Sequence, residues 1–525
     1  MSDVSAITTV QPAEPKTARL RVPAWLRPSL LDCLCIALLI WLVAFTAGGG
    51  SAGLLQDAGT GCHVRVGDFI LHRHAVPRID VFSFTRSGQP WYAWEWLSGV
   101  LFAALNLIGG LKAIVLFSAA LITATIAVLV RHMVWRGANA LVVLFLVHVG
   151  IAVSSLHFLA RPHLFTFFFM AVSLYVIDRD RRVYLLVPLS AVWANLHGGF
   201  IALPASLLCL SVGHVCGAAL QPATGRQVAL RRARRYATVA GACLLASGLN
   251  PYGFAEHLHI ARYMNAAWIR QIVLEFQGPR FEGMPGLYAE VLVLGAAMLA
   301  LRLAMRGDIP RALLLGLWLH AGLQSVRHLP VLAVVALPLA AGELEEAWQW
   351  LVRSAQSGAL RRTLDSIASD YTEAIGRISV WPAIALALFA ATNALPFPTD
   401  FPEPRYPVSM VTRYAALLAN SRVFSTDSTG DYLTWRLYPY GRVFIDGRSD
   451  MYGPRLADEY MTALNGARGW EAVLHRYSVN TVLLPPDAAL CSLLRRDARW
   501  KTIEDGRDFS LFQRRRFTDI DTEAP

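Results

Sequence analysis

The chain has 525 residues, 55% of them hydrophobic and 16% charged, with a mean hydropathy of +0.42 and a formal net charge of +11. Soluble domains carry about 25% charged residues, so a water-soluble globule is excluded, because it could not hide this much apolar surface. The basic residues stand in short clusters between apolar runs rather than on one soluble face, which argues for membrane topology and against nucleic-acid binding.

Residues 1–29 are read as a cytoplasmic tail carrying Lys16, Arg19, Arg21 and Arg27, and the apolar run 30–47 is long enough for one crossing. The tail points this first span outward by the positive-inside rule. A secretory signal is the competing reading, but its basic region would be too long and the cleavage signal around Ala47 is poor. Residues 48–95 are too rich in charge, Gly and Pro to enter lipid and form a large first external loop. The stretch 96–107 is too short to span and is predicted to lie along the interface, before 111–130 crosses inward to Arg131 and Arg136. Runs at 141–155 and 164–177 lead out and back to the basic turn 178–182. Runs at 183–194 and 200–215 lead out and back to Arg226, Arg231, Arg232, Arg234 and Arg235. The run 237–249 opens a second external loop at 250–286, and 287–303 returns to Arg302, Arg306 and Arg311. The runs 313–323 and 329–341 exit and re-enter, so that every basic cluster falls on one side.

In the charged stretch 343–377, Leu360, Leu364, Ile367, Tyr371 and Ile375 recur at helical spacing and predict a cytoplasmic amphipathic helix. The run 378–394 is the last of about eleven spans. Pro396, Pro398, Pro402, Pro404 and Pro407 then form a semi-rigid linker. Beyond it, short β-branched or aromatic runs at 423–425, 443–445, 482–484 and 509–512 alternate with helical stretches. The region 396–525 is therefore read as a small extracytoplasmic α/β domain, and the fold class as a polytopic α-helical membrane protein. Of seven cysteines, Cys62 and Cys491 lie outside the apolar runs, but no CxxC spacing occurs and no pairing follows from sequence.

With this topology the unusual motifs gather on the outer side: DAGTGCHVRVGDFI (57–70), RIDVFSF (78–84), WYAWEW (91–96), HFLARPH (157–163), NLHGG (195–199), LNPYG (249–253) and SVRHLP (325–330). Polar groups at span ends are costly unless they bind something or line a wet cavity. Among the loop carboxylates, Asp57 stands close after the first span, and Glu95 sits between two tryptophans where a lone charge needs a reason. A carboxylate there can act as general base or hold a divalent ion against a phosphate. These two are the candidate catalytic residues. His63, Arg65, Arg161, His163, His197, Arg327 and His328 form a cationic set suited to a phosphate or pyrophosphate. Snorkelling explains one such arginine, but not four His or Arg motifs on one face. In the C-terminal region Asp427, Asp431, Asp446, Arg448 and Asp450 stand beside aromatics and, with Asp80, are candidates for acceptor or sugar recognition. Asp446 with Gly447 equally suits a plain turn.

The series GCHVRVGDFIL, VPRIDVFSFT, PWYAWEWL, ARPHLFTF, ANLHGGF, LNPYG and VFIDGRSDMYG resembles a widespread bacterial family of multi-span membrane proteins, which is itself similar to the GT-C glycosyltransferases. The resemblance implies a catalytic acid in the first external loop, an interfacial helix there, an external domain, and a polyprenyl-phosphate-linked sugar as donor. It places Asp57 at the first-loop acid and Glu95 at a second acidic position. Cys62 stands where the family more often has Trp, and no DxD pair surrounds Asp57, so no metal dependence is carried over. The function expected is transfer of a sugar from a polyprenyl phosphate to a lipid, polysaccharide or protein acceptor at the outer face of the bacterial cytoplasmic membrane. A transporter, or a polymerase or ligase of lipid-linked polysaccharide, is the alternative. The spans are nearly free of acids and show no internal repeat, which disfavours transport.

Overall fold

The computed structural model describes residues 23–45, 50–354 and 358–515. Lys16, Arg19, Arg21 and Ala47 lie outside the described residues, as do the side chains of Leu360 and Ile367. Helix α1 (Leu30–Val43) starts at a reciprocal capping box, in which the Ser29 hydroxyl accepts from the Asp32 amide and the Asp32 carboxylate accepts from the Ser29 amide. After α2 (Gly50–Leu54) the first external loop contains a helix not expected from its composition, α3 (Gly59–Arg73). Its three glycines lower helix propensity, but tertiary packing overrides this. At Gly67 a Cβ would stand 2.0 Å from the Gly99 carbonyl oxygen, so the absence of a side chain is what lets α3 lie directly on the next helix.

That helix, α4 (Trp96–Trp135), is broken at Gly109 and Gly110, whose φ values of −155° and +62° leave helical space. The stretch 96–107 is thus a separate helical segment before the long apolar one. There follow α5 (Ala140–Ser154), α6 (His163–Asp178), α7 (Leu186–Leu196), α8 (Ala202–Ala218) and α9 (Ala223–Ser247). The second long loop carries α10 (Phe254–Met264) and α11 (Ala267–Ile272), and α12 (Gly283–Met305), α13 (Ile309–Gln324) and α14 (Leu329–Ser354) return to the bundle. Helix α15 (Gly358–Ile375) precedes α16 (Trp381–Ala391), which packs on α1.

A helix stands at every stretch read as a span. Among the described residues, five are long and apolar enough to cross a membrane: Trp96–Trp135, Ala140–His157, Gly198–Ala218, Gly283–Met305 and Val326–Ser354. Leu30–Val43, His163–Asp178, Val183–Leu196 and Trp381–Ala391 are apolar and shorter. The basic clusters meet at one end of the bundle. Asp178 is paired with His132 at 3.0 Å, with Arg136, and with Arg311 at 2.7 Å, while Asp180 takes Arg235 at 2.8 Å.

At the other end α17 (Val408–Arg413), α18 (Ala415–Ala419), β1 (Arg422–Ser425), α19 (Asp427–Leu437), β2 (Arg442–Val443), α20 (Gly453–Leu464), α21 (Trp470–Arg476), β3 (Thr481–Leu484), α22 (Ala489–Leu494), β4 (Trp500–Asp505) and β5 (Ser510–Arg514) form a small α/β unit. The sheet order is β2-β1-β3-β5-β4, parallel between β2, β1 and β3 and antiparallel thereafter. Strand β4 was not expected, since WKTIED is mostly polar and mostly solvent-facing. The first external loop joins this sheet: the Phe84 amide donates to the Val443 carbonyl at 3.0 Å and the Val443 amide to the Phe82 carbonyl at 3.2 Å. Cys62, Val66, Ile70, Phe82 and Trp91 share one apolar core with Phe424, Phe444, Val482 and Phe512.

Candidate active site

A cavity of about 390 Å³ opens where this shared core meets the bundle. Glu95, at the N-terminus of α4, stands in its wall between two imidazoles, with His63 Nε2 at 3.3 Å and His197 Nε2 at 3.4 Å. His63 is placed by the close α3–α4 packing at Gly67. His197 is an extended residue between α7 and the turn Gly198–Ile201, and its Nδ1 accepts from the Gly199 amide at 3.0 Å. An amide N–H can only donate, so Nδ1 is the unprotonated nitrogen and Nε2 carries the proton that faces Glu95. The Thr166 hydroxyl fixes the same choice: it accepts from Trp193 Nε1 at 3.0 Å and donates to Nδ1 at 2.7 Å. Burial, reinforced by the Arg327 charge, holds His197 well below the usual histidine range. Burial and Arg161 bring His63 down to about 3. Glu95 is pushed up to about 7 by burial, against the opposing pull of Arg161 and Arg327. A carboxyl that changes charge near neutrality is thus flanked by two neutral rings.

The facing wall is cationic. Arg161 donates to Asp57 at 2.8 Å and to Glu275 at 3.2 Å, and Arg327 lies 3.5 Å from Glu275 with its guanidinium 4.8 Å over the Phe276 ring. Glu275 is anchored by its backbone, whose carbonyl accepts from the Ser325 hydroxyl at 2.6 Å, while the Val326 amide donates to the Gln277 carbonyl at 2.9 Å. Burial alone would raise Glu275, but Arg161 and Arg327 prevail and hold it below the usual carboxylate range. The Nε of Arg161 is buried without a hydrogen-bond partner among the described residues. Asp57 lies behind Arg161 rather than in the lining and also accepts from the Gly59 amide at 2.7 Å. His163 donates to the His157 carbonyl at 2.7 Å and His328 to the Ala321 carbonyl at 3.2 Å, and both line the cavity.

The C-terminal unit supplies the remaining wall with Asp431, Gly447, Arg448 and Asp450. Arg448 is clamped by Asp446, at 2.6 and 2.9 Å, and by Asp80 at 2.8 Å, and its guanidinium stacks 4.5 Å from the Trp91 ring. Asp80 and Asp446 therefore stand behind the wall, fully buried. Asp431 accepts from the Gly447 amide at 3.1 Å and is held well above the usual range by burial and by Asp446. Asp450 pairs with His259 at 2.9 Å and is raised by burial. Arg65 points elsewhere: it donates to the Trp435 carbonyl at 2.7 Å and to Asp68 at 3.2 Å, fastening α3 to α19. Asp427 is exposed at the start of α19, outside the lining.

Of the residues singled out in sequence, Glu95, His63, Arg161, His163, His197, Arg327, His328, Asp431, Arg448 and Asp450 line one cavity. Glu275 and Tyr263, which were not singled out in sequence, line it too, as do His157 and Trp94, which stand in the motifs 157–163 and 91–96 but were given no role there. Glu275 carried a usable signal, an acid between Leu274 and Phe276, of the same kind that marked Glu95. Among the described residues no three His, Cys, Asp or Glu side chains converge as a metal-ligand set, and Cys62 and Cys491 are free thiols.

No family model and no curated protein matches the chain. Among solved structures it is similar to the oligosaccharyltransferase of Archaeoglobus fulgidus in the apo form, with a TM-score of 0.46 at 14% identity, over 87% of this chain and 69% of that one. It is also similar to the arabinofuranosyltransferase AftD from Mycobacteria, with a TM-score of 0.46 at 13% identity, over 92% of this chain and 39% of that one.

Proposed function

We propose that this cavity transfers a sugar from a polyprenyl-phosphate donor to an acceptor hydroxyl or amine at the outer face of the bacterial cytoplasmic membrane. The observation that carries the reading is Glu95, held between two neutral imidazoles and faced by Arg161 and Arg327 across about 390 Å³. The acceptor atom bonds to the anomeric carbon while the bond from that carbon to the phosphate oxygen breaks. The acceptor proton passes to Glu95, and the charge growing on the leaving phosphate is met by Arg161 and Arg327. A base with a pKa near the working pH combines availability with driving force. Asp57 lies behind Arg161, outside the lining, whereas Glu95 is in the wall, so we assign Asp57 the placing of Arg161 and assign the base to Glu95. Arg161 and Arg327 form the phosphate side, with the rings of His163 and His328 beside it, their N–H groups spent on backbone carbonyls; Asp431 and Asp450, beside Trp94, suit the hydroxyls and apolar face of a sugar.

Binding separates this reading from the others. Polyprenyl phosphate should quench the fluorescence of the lining residues Trp94 and Trp318, and Arg161→Ala or Arg327→Ala should weaken binding at least about tenfold, the loss of one charge-assisted hydrogen bond. A polyprenol lacking phosphate that binds as tightly as polyprenyl phosphate, or arginine variants that bind as the wild type does, would sink it.

A further inference from the structure

A second cavity, of about 410 Å³, lies at the opposite end of the bundle. Helix α6, 16 residues and so about 24 Å long, lends His163 to the first cavity and Asp178 to this one. The acids in its wall are already matched. Asp178 takes His132, Arg136 and Arg311; Asp180 takes Arg235; Asp308 takes Arg311 and caps α13. Arg306 in turn is paired with Glu343 and Glu346. Arg232, exposed where it lines the same cavity, makes no ion pair or side-chain hydrogen bond among the described residues. Beside it are His214 and Tyr236, with ring centroids 5.6 Å apart. His132 is only 2% exposed, and its Nδ1 has no hydrogen-bond partner among the described residues. Leu174, Leu210 and Leu314 make part of the wall apolar.

We infer that this cavity binds a phosphate-bearing headgroup, with Arg232 as its principal donor and His214 and Tyr236 beside it. Once the acids are matched, the wall's unmatched charge is positive, and a guanidinium fork suits phosphate oxygens. The apolar part of the wall suits the attached chains of a lipid, and basic pockets between spans are where anionic lipid headgroups settle. Topology accounts for arginines at this end of the bundle in general. What sets Arg232 apart from the equally exposed Arg231 and Arg234 is its place in the wall of this cavity, whose other charges are paired off.

The test titrates the full chain in detergent with phosphatidylglycerol, with diacylglycerol lacking phosphate, and with glycerol phosphate, reading bound ligand by native mass spectrometry. Phosphatidylglycerol should bind saturably and diacylglycerol should not. Arg232→Glu should weaken binding at least about tenfold. Arg234→Glu, the same charge change on the same helix but outside the lining, should leave binding unchanged. His214→Ala should give a smaller loss and guards against Arg232→Glu merely disturbing α9. Competition by glycerol phosphate shows that the phosphate alone is recognised, and failure to compete shows that the lipid chains are needed as well. Either supports the site. Equal losses in the two arginine variants, or diacylglycerol bound as tightly as phosphatidylglycerol, would overturn it.

Discussion

Glu95 changes charge near neutrality, and this has opposite consequences for rate and for stability. In the role of base proposed for it, Glu95 must be ionised, so kcat/KM should rise with pH through an apparent pKa near 7. Glu95→Gln should abolish that limb and lower the rate by about 10²–10⁴. The folded-state pKa lies above the ordinary 4.5, so between 4.5 and about 7 the native state holds a proton that the unfolded chain has released. The contribution of this group to stability is full below 4.5 and lost as pH rises through about 7. Glu95→Gln should therefore melt higher than the wild type at pH 8 and close to it at pH 5, which thermal unfolding at the two pH values checks. Thr166 is a positioning residue by the same geometry. Thr166→Val removes the hydroxyl that fixes His197 Nδ1 and strands the Trp193 indole N–H, so kcat should fall more than KM rises and the pH limb should move, with Thr166→Ser restoring both. Glu95 was legible in sequence because a charge between two tryptophans at an interface needs a reason. The tautomer of His197 was not, because Thr166, Trp193 and Gly199 meet it only through folding.

Helix α3 carries His63 and opens the wall that Arg161 faces, and it packs on α4 through Gly67. A Cβ at Gly67 would stand 2.0 Å from the Gly99 carbonyl oxygen and 2.7 Å from the Ala103 side chain. Gly67→Ala must push the two helices apart and carry His63 away from Glu95. It should cost about 1–3 kcal/mol or more of stability, with a larger fall in activity than the lost folded fraction explains, measured by melting and by turnover on the same sample. The resemblance implied a helix in this loop, but composition hid its place, since glycines at 59, 61 and 67 read as loop while they permit close approach. The break in α4 was readable because 96–107 is too short to span and was set apart from the crossing run 111–130; the structure puts the break between them, at Gly109 and Gly110. Strand β4 escaped because a strand with a mostly polar, solvent-facing pattern carries no apolar alternation to detect.

At the scale of the molecule, membrane character, the gathering of the basic clusters at one end and the α/β character of the C-terminal region were legible from hydropathy and charge. The joining of that region to the first external loop was not, since pairing of Phe82 and Phe84 with Val443 links segments far apart in sequence. The shared core means that the C-terminal region is a wall of the site. Truncation after residue 395 should expose Val66, Phe82 and Trp91, remove Asp431 and Asp450, and yield aggregated protein without polyprenyl-phosphate binding, read by size exclusion and fluorescence. A monodisperse truncated chain that binds as the full chain does would show that the region is dispensable. The central claim is tested most directly by transfer itself, with purified chain in lipid nanodiscs, radiolabelled polyprenyl-phosphate sugars and a membrane extract as acceptor, beside Glu95→Gln and Asp57→Asn. The account predicts that label leaves the donor with the wild type, that Glu95→Gln lowers this by about 10²–10⁴, and that Asp57→Asn has a smaller effect. A wild-type chain that neither transfers nor hydrolyses any such donor, or a Glu95→Gln chain as active as the wild type, would contradict it.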